Sequence, residues 1–125
     1  MRILVLALVL ALALLAAGLA GSYKGTWSGS GGGGDFIISL TQSGADWKAD
    51  ITFSFSGETV KTKVTSLKID GDKMTAVYTF DLQGNVLEST VKGTLKDGVL
   101  AGEYSTKAVA DGSAVDAGTW TTKVQ

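Results

Sequence analysis

Between Trp47 and Ser56, apolar and polar residues alternate without a break. Trp47, Ala49, Ile51, Phe53 and Phe55 stand against Lys48, Asp50, Thr52, Ser54 and Ser56. Successive side chains of a strand point to opposite faces, so a period of two marks a half-buried strand and excludes a surface helix. The pattern returns further on. Met74, Ala76, Tyr78, Phe80 and Leu82 oppose Lys73, Thr75, Thr79 and Asp81, and Leu87, Val91 and Leu95 oppose Glu88, Thr90, Lys92 and Thr94. No stretch after residue 20 carries a helical period.

Short runs rich in Thr, Val, Ile, Phe and Tyr, separated by Gly, Asp and Asn, predict eight strands. They are Ser22 to Ser28, Asp35 to Gln42, Trp47 to Ser56, Glu58 to Asp70, Lys73 to Leu82, Val86 to Leu95, Val99 to Lys107 and Thr119 to Val124. In the fourth, Val60, Thr62 and Val64 share a face that Leu67 and Ile69 then take over, which predicts a β-bulge near Thr65 and Ser66. Ser43-Gly44-Ala45-Asp46, Asp70-Gly71-Asp72, Gln83-Gly84-Asn85 and Asp97-Gly98 supply residues that tolerate positive φ and make hairpins. Links this short forbid parallel crossovers. Gly29 to Gly34 and Ala110 to Gly118 read as longer loops, the first a linker or an entrance flap.

Each strand has one apolar face and no amphipathic helix is present to cover it. The sheet must fold on itself. An all-β, eight-stranded antiparallel up-and-down meander closes most simply as a barrel, which also removes exposed edges. A two-sheet sandwich is the alternative, but sandwiches usually need long returns between sheets.

The first twenty residues read as a targeting segment. Arg2 precedes an unbroken apolar run from Ile3 to Leu15, then Ala16-Ala17-Gly18-Leu19-Ala20. Gly18 and Ala20 place cleavage before Gly21. The domains expected are a signal peptide over 1–20 and one β-barrel over 21–125. An uncleaved membrane anchor is the rival reading. Export, to a periplasm or the outside, with no membrane contact after cleavage, is the expectation. The 105 residues left can bury one modest core. Without Arg2, ten lysines face twelve acids, a net charge of −2 with both signs dispersed. That argues against a nucleic-acid partner. There is no cysteine, hence no disulfide, and no proline to remove a ladder donor.

Gly25-Thr26-Trp27-Ser28-Gly29 opens the domain and Gly118-Thr119-Trp120 nearly closes it. In a closed meander the first and last strands are neighbours, so both tryptophans face inward at the seam. They either fill a barrel end or line a ligand mouth. On these motifs the chain resembles the calycins (lipocalins, fatty-acid-binding proteins and avidins), whose first strand often carries Gly-x-Trp. It looks still more like uncharacterised exported bacterial barrel domains that combine Gly-x-Trp-x-Gly with a late Gly-x-x-x-Gly-x-Tyr, matched by Gly98 to Tyr104. The resemblance implies the barrel topology. It transfers no binding residues, since the arginine of lipocalins and fatty-acid-binding proteins is absent after Arg2.

With no histidine or cysteine, Ser-His-Asp and Cys-His nucleophile systems and the usual zinc or copper sites are excluded. By parity Asp50, Asp81 and Glu88 point outward, and no two acids converge. Asp70-Gly71-Asp72 reads as a turn rather than a calcium loop. Asp111 and Asp116 flank the expected Ala110 to Gly118 loop. Lys61, Lys63 and Lys68 form a solvated face. No enzyme activity, cofactor or metal is therefore expected. The expected role is binding of a small hydrophobic molecule inside the barrel, with Tyr23, Trp27, Trp47, Phe53, Tyr78, Tyr104 and Trp120 as candidate ligand contacts. Phe36, Ile38, Phe80 and Leu100 share their face. A non-catalytic structural or protein-interaction module with a filled core is the alternative, and the cavity distinguishes the two.

Overall fold

The computed structural model describes residues 18–125. Most of the expected signal peptide, residues 1–17, lies outside the described residues. The rest is an all-β sheet of nine antiparallel strands: β1 (Gly21–Gly29), β2 (Gly32–Ser43), β3 (Asp46–Phe55), β4 (Glu58–Lys61), β5 (Lys63–Asp70), β6 (Lys73–Leu82), β7 (Asn85–Lys96), β8 (Val99–Ala108) and β9 (Ala114–Val124). Their order is β4-β3-β2-β1-β9-β8-β7-β6-β5. It is an up-and-down sheet that curls into a half-barrel around one apolar face.

The first and last strands pair as the sequence requires, and Trp27 lies directly opposite Trp120. The hairpins form where expected. Gln83-Gly84 and Asp97-Gly98 both hold positive φ at each position, the type I′ signature whose twist suits flanking strands. Ser56-Gly57 forms a third such turn.

The strand count is a correction. The expected fourth strand, Glu58 to Asp70, is two strands, so the total is nine and not eight. Lys61 still pairs with Thr52 of β3, whereas Lys63 pairs with Thr79 of β6. The chain transfers its ladder from one neighbour to the other across Thr62. At that step the Thr62 hydroxyl donates to the Ile51 carbonyl at 2.6 Å, replacing the backbone bond that the ladder loses there. Both edges of the sheet are thus joined by one residue. The bulge falls where expected, between Val64 and Ser66.

The two long loops are also corrected. Only Ser30 and Gly31 form the turn after β1, and Gly32 to Gly34 belong to β2. This stretch pairs in register with Trp27, Ser28 and Gly29 of β1, and Gly34 sits where a side chain would collide. A Cβ at Gly34 would lie 2.1 Å from the Ser54 carbonyl and 2.9 Å from Trp27 Nε1. Glycine's low strand propensity is overridden by packing. Likewise β9 begins at Ala114, which leaves a short connection after β8.

Turns alternate between two ends. The mouth carries Ser30-Gly31, Ser56-Gly57 and Gln83-Gly84. The base carries Gly44-Ala45, Gly71-Asp72 and Asp97-Gly98, with Gly18 and the C-terminal residue Gln125 on the same side. At the base, Tyr23, Ile38, Leu40, Ile51, Met74 and Leu100 are buried. Leu19 joins them at 2% exposure, and its carbonyl accepts a 2.9 Å bond from the Tyr23 hydroxyl. Leu19 stands on the leader side of the expected boundary before Gly21.

Candidate functional site

Toward the mouth the same inner face changes character. Aliphatic residues give way to rings, several of which meet edge to face. Trp27 sits perpendicular to Phe53 and to Tyr104, each at 6.0 Å, and Phe53 is perpendicular to Phe80 at 4.9 Å. Such pairs add stability beyond area burial, but flat rings tile a curved wall incompletely. They leave a cavity of about 140 Å³. Its walls include Trp27, Phe36, Phe53, Tyr78, Phe80 and Trp120, and its rim includes Gly31, Phe55, Leu82 and Val115. A larger, polar hollow of about 480 Å³ adjoins it between β4 and the end of β6, sharing Phe55 and Leu82. It marks the notch where the chain has crossed from β3 to β6, and most of its lining is exposed polar chain.

The Trp27 and Trp120 indoles are both tied to the backbone of other strands. Trp27 Nε1 donates to the Ser54 carbonyl at 2.9 Å, and Trp120 Nε1 to the Glu103 carbonyl at 3.2 Å. Trp120 lies across Gly93, where a Cβ would come within 2.6 Å of the ring. With their N–H groups committed, these rings offer the cavity apolar faces.

Five residues with a hydroxyl or carboxyl group line the cavity: Tyr78, Ser89, Tyr104, Thr106 and Asp116. Tyr104 donates to Asp116 Oδ2 at 2.7 Å, while Ser30 Oγ and the Gly31 backbone N–H donate to Oδ1 at 2.8 and 3.0 Å. Gly29 makes this possible, since a Cβ there would sit 1.9 Å from the Tyr104 hydroxyl. Burial pulls the Asp116 carboxyl upward. Donors from Tyr104, Ser30, Gly31 and Ala117 outweigh it, and the group is held below the usual carboxylate range. Burial, the bond to Asp116 and its negative charge push the Tyr104 phenol well above the ordinary value. Deeper in, the Ser89 and Thr106 hydroxyls are 2.5 Å apart. Burial pushes the Tyr78 phenol up to about 12, and a side-chain bond with Ser89 offsets part of this.

Five of the seven expected contacts line this cavity: Trp27, Phe53, Tyr78, Tyr104 and Trp120. Tyr23 and Trp47 do not. Parity gives them the right face but says nothing of depth. Tyr23 lies four residues toward the base from Trp27, and Trp47 six from Phe53. At a rise of roughly 3.3 Å per residue those offsets are about 13 and 20 Å.

Ser89, Thr106 and Asp116 are additions. The first two continue the inward parity of Leu87 and Val91 and of Leu100 and Tyr104, and their hydroxyls mask the signal. Asp116, expected in a loop, shares the inward parity of Trp120 in β9. Asp111 accepts from the Ser113 N–H and hydroxyl at 3.0 and 2.7 Å and shapes the turn. Among the described residues no group of three His, Cys, Asp or Glu side chains could hold a metal ion. Comparison of the chain with protein families, with curated proteins and with solved structures finds no match to any of them.

Proposed function

We propose that this chain is an exported, non-catalytic, calycin-like barrel that binds one small apolar molecule in its mouth. The observation that carries the reading is the aromatic cavity of about 140 Å³, set above a base that is packed shut. A water occupies roughly 30 Å³ of liquid, and an apolar cavity of about 150 Å³ is known to take up benzene. The space suits one ring or a short branched chain. A whole long-chain fatty acid does not fit, and no cation lines the cavity to hold its carboxylate.

Burying about 150–200 Å² of apolar ligand surface at roughly 25 cal/mol per Å² contributes about 4–5 kcal/mol. Dissociation constants on the order of 0.1–1 mM follow. Titration with toluene, indole, naphthalene and palmitate, followed by tryptophan fluorescence, tests this. Single-ring probes should saturate one site, with the response lost for palmitate. If no probe gives a saturable response, the reading fails. The second reading, a module with a filled interior, is favoured by the base, where Ile38, Ile51 and Leu100 have no exposed surface. It predicts that no probe binds.

A further inference from the structure

We infer that the cavity selects an uncharged ligand carrying one hydrogen-bonding oxygen, recognised by the Tyr78–Ser89–Thr106 hydroxyl cluster. The inference rests on the binding reading above and adds the chemistry of the ligand.

Every other polar group on the cavity wall is already engaged. The two indole N–H groups are given to backbone carbonyls, and the Tyr104 hydroxyl is given to Asp116. Asp116, the one charged residue lining the cavity, takes three donors on its two oxygens. The three clustered hydroxyls are different. They are buried on adjacent strands, Ser89 opposite both Tyr78 and Thr106 in the ladder. Three hydroxyls carry three protons. The Ser89–Thr106 bond uses one of them and a bond between Tyr78 and Ser89 uses at most one more, so at least one proton is left over. Leaving it unpaired in an apolar space is costly, so the cluster presents a standing demand for an acceptor. A ligand ketone, ether or hydroxyl oxygen satisfies it. A carboxylate would also accept, but it would be buried without a counter-charge and close to Asp116, at a far larger cost.

Three probes of nine heavy atoms and similar shape separate the possibilities: acetophenone, α-methylstyrene and benzoate. Affinities are read from ¹H–¹⁵N shifts. One net hydrogen bond, about 0.5–1.5 kcal/mol, gives acetophenone a two- to tenfold preference over α-methylstyrene. Benzoate should bind at least tenfold more weakly than either. In the triple variant Tyr78→Phe, Ser89→Ala, Thr106→Val the preference for acetophenone should vanish. Shape is kept at each site, and replacing a whole bonded set by isosteres is tolerated. If that variant does not fold, the wild-type ratio alone decides. Equal or tighter binding of α-methylstyrene overturns this inference and leaves the cavity reading standing. Tight benzoate binding overturns it too. Binding of none of the three overturns both.

Discussion

The base and the mouth are built from the same alternating strands, yet they end in opposite states. At the base, branched and straight aliphatics from β2, β3, β6 and β8 interlock, and Leu19 closes the end. At the mouth, rings take those positions, and their N–H and O–H groups bond to the wall. Aliphatic side chains conform to their neighbours and leave no void. Rings held by directional bonds cannot slide to fill one. The contrast teaches that burial alone does not decide whether the inside of a curled sheet is solid; the shape and hydrogen bonding of the inward residues do.

The largest effects should fall at the base. Leu40→Ala and Ile51→Ala each remove a side chain with almost no exposed surface and should cost about 2–5 kcal/mol. Leu82→Ala, half-exposed at the rim, should cost under about 1 kcal/mol. Urea unfolding measures all three, and similar losses at base and rim would break the comparison. The same logic applies to Leu19. A chain beginning at Gly21 should be less stable than one beginning at Leu19 by about 2–4 kcal/mol.

Filling should have opposite signs on the cavity wall and off it, even at the paired positions Val91 and Ala76. Val91→Leu adds volume beside the cavity and should stabilise by about 0.5–2 kcal/mol while weakening probe binding. Ala76→Leu, in a position with no exposure, should destabilise by about 1–3 kcal/mol. Thermal unfolding with and without toluene reads both.

A smaller effect is expected at Asp116. Its carboxyl is held low in the folded state, so it binds a proton less readily there than in the unfolded chain. The stability it contributes is present above the unfolded value of about 3.9. It is lost as pH falls through the depressed folded value. Asp116→Asn should lower stability at neutral pH by about 1 kcal/mol and flatten the decline between pH 5 and 2. An unchanged acid limb would show that the Tyr104–Asp116–Ser30 cluster is not what holds the mouth. The smallest effect belongs to Lys107, whose 3.5 Å pair with Glu88 lies on the solvent face. Lys107→Ala should change stability by less than about 0.5 kcal/mol.

Much of this was legible in the sequence. The alternation around Trp47 to Ser56 fixes the inner face, glycine dipeptides mark the hairpins, and the two Gly-Thr-Trp motifs foretell the pairing of β1 with β9. What stayed hidden depends on partners far along the chain. Gly32 to Gly34 look like a loop because nothing local reveals their pairing with β1 or the indole and carbonyl that leave no room for a side chain at Gly34. The break at Thr62 follows from closing the sheet, not from any breaker residue. Depth is equally silent in parity, so Tyr23 and Trp47 looked equivalent to Trp27. Ser89 and Thr106 were obscured because a polar residue on an apolar face reads as an interruption of the pattern.

The three tryptophans supply the most direct test, since Trp27 and Trp120 line the cavity and Trp47 does not. In a ¹H–¹⁵N titration with toluene, the indole N–H signals of Trp27 and Trp120 should shift together and saturate, while that of Trp47 stays fixed. Three unmoved signals, or a Trp47 shift equal to the others, would contradict a ligand-sized cavity confined to the mouth.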